Sequence, residues 1–411
     1  MRISVIGDSH LNKVSYKDVR DHVFTRLSFR AIDFMNAFEY MITKNIDEIK
    51  PDMIVLAGDI YDTHDPSNTV RAFFNKQIGR LIKSRIKVVV MTGQHDICRI
   101  NHALQPLLEL PIDGVRVIDK PIITKFDSIR LLLFPYPMQA AQNRLSIRAM
   151  YYSFLDYAKP KIKHGEDVIL IGHFGVKGAI KKSYIDVDKS QQSVVNMDES
   201  DVSIKDLVSS GASHVILGDY HKHQVLSAGS ECHAMYTGSV ERTDITEANQ
   251  DKGFIVFDSE NDIIDGYGKC RFIPYPNTRP MIDMKGSIAE LEKSLEQLTD
   301  KDEGAIVRVT FTSTTDDIAK IDLARHEFEK KLRSKIKPVI VRSETNICNK
   351  DEARKAHEME EHLMQEGHMT RNDVIDVVSN IVKEREKDNN ERKLILTMAH
   401  EIYEECLEEL A

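Results

Sequence analysis

The sequence predicts an α/β layered core of β-sheets flanked by helices, a small α+β domain after it, and a C-terminal helical segment. Three observations carry this. Short β-branched runs alternate with helical stretches from residue 1 to about residue 275. Five of those runs end in a Gly-containing polar cluster. Beyond them the composition shifts twice, first at a proline-rich stretch and then to a strongly charged tail.

Residues 3–6, 53–56, 88–91, 131–134, 168–171 and 215–217 read as buried strands. Between the first two, Leu27, Ala31, Phe34, Met35, Phe38 and Ile42 fall on one face of an amphipathic helix. Runs at 225–226, 235–236, 254–257 and 270–274 read as antiparallel strands. Pro274, Pro276 and Pro280 mark a linker, which puts the first domain at 1–275. Residues 276–345 hold helical stretches near 288–298 and 316–335 and strand-like runs at 305–311 and 338–342, a small α+β domain. Residues 346–411 form the third unit, where Val374, Val377, Val378 and Ile381 make one apolar stripe. Ile395, Met398, Ala399, Ile402 and Cys406 make a second, across a charged stretch at 383–393, so the tail reads as helix–loop–helix. No internal repeat is visible.

Composition bounds the function. The chain has 411 residues, 41% hydrophobic and 29% charged, an ordinary globular balance for two or three domains. A net charge of −9 is not that of a dedicated duplex-DNA binder; either the substrate is not nucleic acid, or local patches, metal ions and a partner protein supply the positive field. The five cysteines, Cys98, Cys232, Cys270, Cys348 and Cys406, are scattered without metal-ligand spacing, as suits reduced thiols. The first residues lack the basic and apolar regions of a leader, and no apolar run approaches the ~20 residues of a membrane span. A cytoplasmic protein without membrane contact is expected.

The chemistry lies after the strands. Gly7-Asp8-Ser9-His10, Gly58-Asp59, Gly93-Gln94-His95-Asp96, Gly172-His173 and Gly218-Asp219-Tyr220-His221 each begin where an apolar run ends. Ligand sites of open α/β sheets gather outside the carboxyl ends of strands, so these clusters can converge while far apart in sequence. Asp and His without Cys are hard oxygen and imidazole donors, suited to two divalent ions such as Mn²⁺, Fe²⁺ or Zn²⁺. Singly, an Asp-Ser-His is more often a turn former and a Gly-His a hydrogen-bonded core histidine. It is the five clusters together, in order, that point to a metal centre.

In that order the clusters resemble those of the calcineurin-like metallophosphoesterase superfamily. Within it, Gly238-Ser239-Val240-Glu241-Arg242 followed by Lys252-Gly253-Phe254 is similar to the SbcD-type nuclease component of double-strand-break repair. The resemblance covers roughly residues 1–345 and fades after about 275. It implies a metallophosphoesterase core with the small domain as a capping domain. It implies two metals, with Mn²⁺ favoured: Asp8, His10, Asp59 and His221 around the first, Asp59 bridging, and Gln94, His173 and Asp219 completing the second. His95 is implied as the catalytic residue that stabilises the transition state or protonates the leaving 3′ oxygen, with Asp62 placed to orient it. The activity implied is a 3′→5′ DNA exonuclease with endonuclease activity, a homodimer partnered by an SbcC-type SMC-like ATPase.

Two positions depart from that pattern. Gln94 stands where the family has Asn and reaches one methylene further. Asp219 stands where the family has His, with His223 nearby as a weaker competitor for the role. Arg242 and Glu241 read either as a structural ion pair or as a phosphate contact. Lys177, Lys181 and Lys182 read equally as a solvated loop or a DNA-backbone contact. The tail either folds back on the chain or docks on the ATPase. Rival readings are a small-molecule or protein phosphoesterase of the same fold and a non-catalytic DNA-end-binding scaffold.

Overall fold

The computed structural model describes residues 1–13, 27–98, 101–109, 112–138, 146–180, 202–229, 232–260, 267–313, 318–338 and 340–347. The tail stripes, Lys181 and Lys182 lie outside the described residues. Residues 1–311 and 322–344 form one compact unit.

The elements run β1 (Arg2–Ile6), α1 (Phe29–Lys44), β2 (Met53–Ala57), α2 (Asn68–Lys83), β3 (Lys87–Met91), α3 (Gln105–Glu109), β4 (Val115–Ile118), β5 (Ile122–Phe126) and β6 (Ile129–Phe134). They continue with α4 (Ile147–Ala158), β7 (Val168–His173), α5 (Ile204–Val208), β8 (His214–Gly218), β9 (Gln224–Gly229), β10 (Cys232–Tyr236), β11 (Gly253–Asp258) and β12 (Cys270–Pro274). Last come β13 (Met281–Gly286), α6 (Ile288–Gln297), β14 (Ile306–Ser313), α7 (Ile318–Ile336) and β15 (Ile340–Ile347).

Two six-stranded sheets make the core, ordered β12-β11-β1-β2-β3-β4 and β5-β6-β7-β8-β10-β9. The first four strands of the chain are mutually parallel, as are β6, β7, β8 and β10. Strand alternation builds the layers. Ile3, Val5, Met53, Val55, Val89 and Met91 meet Leu131, Leu133, Ile169, Ile171, Ile216 and Met235 between the sheets. The opposite-facing Ile6, Ile54, Leu56, Val88 and Val90 pack under Phe34, Phe38 and Met41 of α1 and Phe74 and Ile78 of α2. Leu132, Leu170, Val215 and Leu217 do the same under α4. Strands buried on both faces explain the unbroken apolar runs. The α1 helix starts at Ser28, whose side chain accepts from the Ala31 N–H.

The six expected buried strands are all present. The 225–274 region differs from a simple antiparallel run. The β9–β10 and β11–β12 pairs are antiparallel, but they belong to different sheets, and β10 also runs parallel to β8. Beyond the core, β13, β14 and β15 form a three-stranded sheet in that order. Met284, Val307, Val309 and Phe311 face Leu291, Leu295, Phe328 and Leu332 of α6 and α7. Met281, Ile306 and Ile340 point the other way, onto Ile245 and Ala248. Among the described residues no helix is long and apolar enough to cross a membrane.

Candidate metal centre

The carboxyl ends of β1, β2, β3, β7 and β8 carry the five polar clusters to one end of the sandwich. The turns there are tight enough to force unusual backbone. Asp8, His10, Asp59 and Asp219 have φ of 47°, 38°, 47° and 98°, a region non-glycine residues seldom occupy. The glycine beside Asp59 is needed for closeness: a Cβ on Gly93 would lie 2.1 Å from the Asp59 nitrogen.

The side chains converge as the clusters suggested. Ligand atoms of Asp8, His10 and His221 lie within 4.8 Å of one another, as do those of Asp8, Asp59 and His173 and of His10, Asp59 and His95. Asp59 Oδ2 lies 3.7 Å from His10 Nε2, 3.5 Å from His173 Nε2 and 3.9 Å from His95 Nε2. Gln94 and Asp219 join from the open side: Gln94 Nε2 donates to Asp219 Oδ1 at 3.1 Å, and the Asp219 N–H donates to Asp8 Oδ1 at 3.0 Å.

Each ligand imidazole has its Nδ1 engaged by an oxygen. His10 Nδ1 meets Asp62 Oδ1 at 3.1 Å, and His173 Nδ1 meets the Ala57 carbonyl at 2.7 Å. His221 Nδ1 lies 2.9 Å from Thr243 Oγ1 and 3.2 Å from Glu247 Oε1. With Nδ1 donating, each ring in its neutral form presents the Nε2 lone pair inward. His10 Nε2 and His221 Nε2 then face each other at 3.1 Å. Asp59 Oδ2 and His173 Nε2 are buried with no hydrogen-bond partner among the described residues. Inward lone pairs and orphaned buried acceptors are what a divalent cation satisfies, so the residues fit a metal.

The electrostatics agree. Burial, only partly opposed by His173 and His221, pushes the Asp8 carboxyl up to about 7. Asp59 is as deeply buried, yet His173, His10 and His95 outweigh burial and hold it below the usual carboxylate range. Burial pulls the His173 imidazole down, and Asp59, Asp8 and Asp219 more than reverse this. Burial pushes His10 down to about 4, which leaves it neutral and able to ligate. The cluster of carboxylates calls for positive charge, the demand that bound cations meet.

His95 sits at the mouth with a side chain 42% exposed. Its N–H donates to Asp59 Oδ1 at 2.8 Å, and its Nδ1 meets the main-chain carbonyl of Asp62 at 3.1 Å. Asp62 therefore touches His95 through its backbone, while its carboxylate is shared by His10 and Lys13, the latter at 2.8 Å. His223 turns away: Nδ1 donates to the Tyr236 carbonyl at 2.7 Å and the ring stacks on Phe272. Arg242 is structural. Its guanidinium donates to the carbonyls of Arg279 and Gln250, and Glu241 accepts the Arg242 main-chain N–H at 2.7 Å, so the expected side-chain ion pair is replaced by backbone contacts.

Sequence reasoning missed two buried carboxylates. Asp96 accepts the N–H groups of Ile60, Tyr61 and Gly93 at 3.1, 2.9 and 2.9 Å, tying the Asp59 turn to the Gln94 turn. It stands inside a cluster already singled out, and three converging N–H groups are the reason for its burial. Glu247 has no such signal, because nothing in the spacing of residues 244–252 points at His221.

Such a fold with such a ligand set defines a metal-dependent phosphoester hydrolase. Residues 1–223 match the family model of the calcineurin-like phosphoesterases, and the chain belongs to that family. It is 25% identical over 241 residues to the SbcD component of the nuclease SbcCD of Staphylococcus epidermidis, covering 54% of this chain and 60% of that protein. To the SbcD component of the Escherichia coli nuclease SbcCD it is 22% identical over 362 residues, covering 81% of this chain and 82% of that one. To the DNA double-strand break repair protein Mre11 of Sulfurisphaera tokodaii it is 29% identical over 175 residues, covering 42% and 40%.

Proposed function

We propose that the chain is a Mn²⁺-dependent DNA nuclease, a 3′→5′ exonuclease with endonuclease activity, that processes DNA ends with an SbcC-type ATPase. The observation that carries the reading is the convergence of Asp8, His10, Asp59, His173 and His221 in a chain 81% of which aligns with the SbcD component of a nuclease. Asp8, His10, Asp59 and His221 would hold one ion, and Gln94, His173 and Asp219, together with Asp59, would hold the other. When bound there, two such ions would supply an activated water and positive charge at the scissile phosphate. The chain's own residues do the rest. Asp96 keeps the Asp59 and Gln94 turns together, and Asp62 fixes His10 by its carboxylate and His95 by its carbonyl. His95 Nε2, at the open mouth, delivers a proton to the 3′ oxygen as the P–O bond breaks. The protein works as a homodimer, and residues 346–411 dock on the ATPase.

The test is purified protein on end-labelled duplex DNA with Mn²⁺, with and without the ATPase. Mn²⁺-dependent shortening from the 3′ end is expected, with ATP-dependent attack on blocked ends only when the ATPase is present. Turnover of a small phosphodiester without cleavage of any DNA would replace the nuclease reading by that of a small-molecule phosphoesterase. A chain truncated after residue 347 should lose the ATPase in co-purification and keep Mn²⁺-dependent cleavage.

A further inference from the structure

His221 differs from the other ligand imidazoles in how far from the strand ends its support lies. The turn Ile245–Glu247 brings a buried carboxylate behind its ring. Glu247 is held from every side. Oε2 accepts from the Thr243 N–H at 2.8 Å and from Lys252 Nζ at 2.7 Å, and Oε1 accepts from the Thr243 hydroxyl at 2.5 Å. Lys252 is itself buried and donates to the main-chain carbonyl of His221 at 2.7 Å. The His221 ring is thus held by Glu247 together with the Thr243 hydroxyl that Glu247 fixes, and its backbone by Lys252, the other partner of the same buried ion pair. A buried pair that loses one member leaves an uncompensated charge, so the two partners hold each other in place.

The same turn is also the seat of the small sheet. Ile245 and Ala248 flank Glu247 and pack on Met281, Ile306 and Ile340, one from each strand of β13, β14 and β15. These three lie on the face of the sheet opposite that covered by α6 and α7. The small sheet therefore ends on the turn that aims His221.

We propose that Glu247 is a positioning residue for His221 in the first metal site, and that the β13–β15 sheet holds it there through Ile245 and Ala248. The inference rests on the metal-centre reading above. Glu247 keeps the proton on Nδ1 and the lone pair on Nε2; the sheet keeps Glu247 within reach. Disturbing the sheet's inner face disturbs the metal site, whereas disturbing its outer face does not.

Full-length variants are titrated with Mn²⁺ by calorimetry, and bound Mn²⁺ is followed by electron paramagnetic resonance. Outer-shell partners of ligand histidines are generally worth about 10–100-fold in metal affinity. Glu247→Ala should weaken one of two Mn²⁺ sites by that order and leave the other. Glu247→Gln keeps an acceptor and the same shape, guards against a folding failure, and should fall between. Ile306→Ala should weaken the same site by a few-fold. Leu332→Ala, on the far face, should lower the melting temperature comparably and leave the Mn²⁺ titration unchanged. A folded Glu247→Ala chain with wild-type Mn²⁺ affinity would overturn the positioning role. Equal loss in Ile306→Ala and Leu332→Ala would overturn the role of the sheet. A wild-type chain that takes up no Mn²⁺ would sink the metal-centre reading and this inference with it.

Discussion

The deep half of the metal centre and its rim are built differently. In the deep half, Asp8, His10, Asp59 and His173 are fully buried. There His10 and His173 have their outer ring nitrogens engaged, and three of the four residues sit in left-handed backbone. On the rim, Gln94 and His95 are exposed and Asp219 is half-buried. Gln94 and Asp219 hold each other, and no backbone N–H reaches the Gln94 amide among the described residues. A buried, braced side chain cannot change identity without leaving an unpaired buried group, so the deep half is where a substitution costs most. An exposed side chain can be exchanged at the cost of water contacts alone, so the rim is where a substitution is tolerated.

That contrast is broken most directly at Asp59, whose carboxylate lies nearest to three imidazoles. Asp59→Asn keeps the shape and removes the charge that stands in both the Asp8–Asp59–His173 and the His10–Asp59–His95 clusters. Cleavage of a phosphodiester should fall to background, and Mn²⁺ uptake in calorimetry should drop by at least one ion per chain. Retention of Mn²⁺-dependent turnover would mean that the deep half is not the metal centre.

His95 sharpens the same comparison from the rim. His95→Ala should lose about 10²–10⁴-fold in kcat, the usual contribution of a general acid, while Mn²⁺ affinity stays within a few-fold of wild type. The two readouts separate a proton donor from a ligand. A large fall in Mn²⁺ affinity would move His95 into the coordination sphere, since Asp59 Oδ2 is only 3.9 Å from its Nε2.

Much of this architecture is legible in the sequence, and the reason is local. Apolar runs ending in a Gly-led polar cluster report a buried strand and a sharp polar turn in the same few residues, so five of the six buried strands and the convergence of their ends could be expected; the sixth, β6, was legible from its apolar run alone. What stayed hidden depends on partners distant in sequence. The edge strands β4 and β5 and the small-domain strand β13 mix polar and apolar residues without a clear period over four to six positions, too little to distinguish from loop. Which sheet a strand joins was also invisible, because strands buried on both faces have no polar side to orient them. The carboxylate of Asp62 could be expected near the site, but its choice of His10 over His95 is set by rotamer and by Lys13, not by spacing. Glu247 was out of reach for the same reason.

The smallest effect tests whether the two unusual rim residues act as a unit. Gln94 and Asp219 are the two positions where the chain departs from the pattern it resembles, and in the structure they are hydrogen-bonded at 3.1 Å. The longer Gln side chain spans to a short carboxylate; Asn at 94 would fall short of it, and His at 219 would offer the Gln amide a different, bulkier partner. Residues in direct contact couple by about 0.5–3 kcal/mol in double-mutant cycles. Gln94→Asn alone and Asp219→His alone should each reduce Mn²⁺-dependent kcat/KM by roughly tenfold, about 1.4 kcal/mol of transition-state stabilisation. The double variant Q94N/D219H should recover much of that loss, because it restores a short amide opposite an imidazole. The cycle is measured on one phosphodiester with Mn²⁺ and again with Mg²⁺. Strictly additive losses would show that Gln94 and Asp219 contribute independently. A Mn²⁺-to-Mg²⁺ preference that shifts only when both are changed would assign metal choice to the pair.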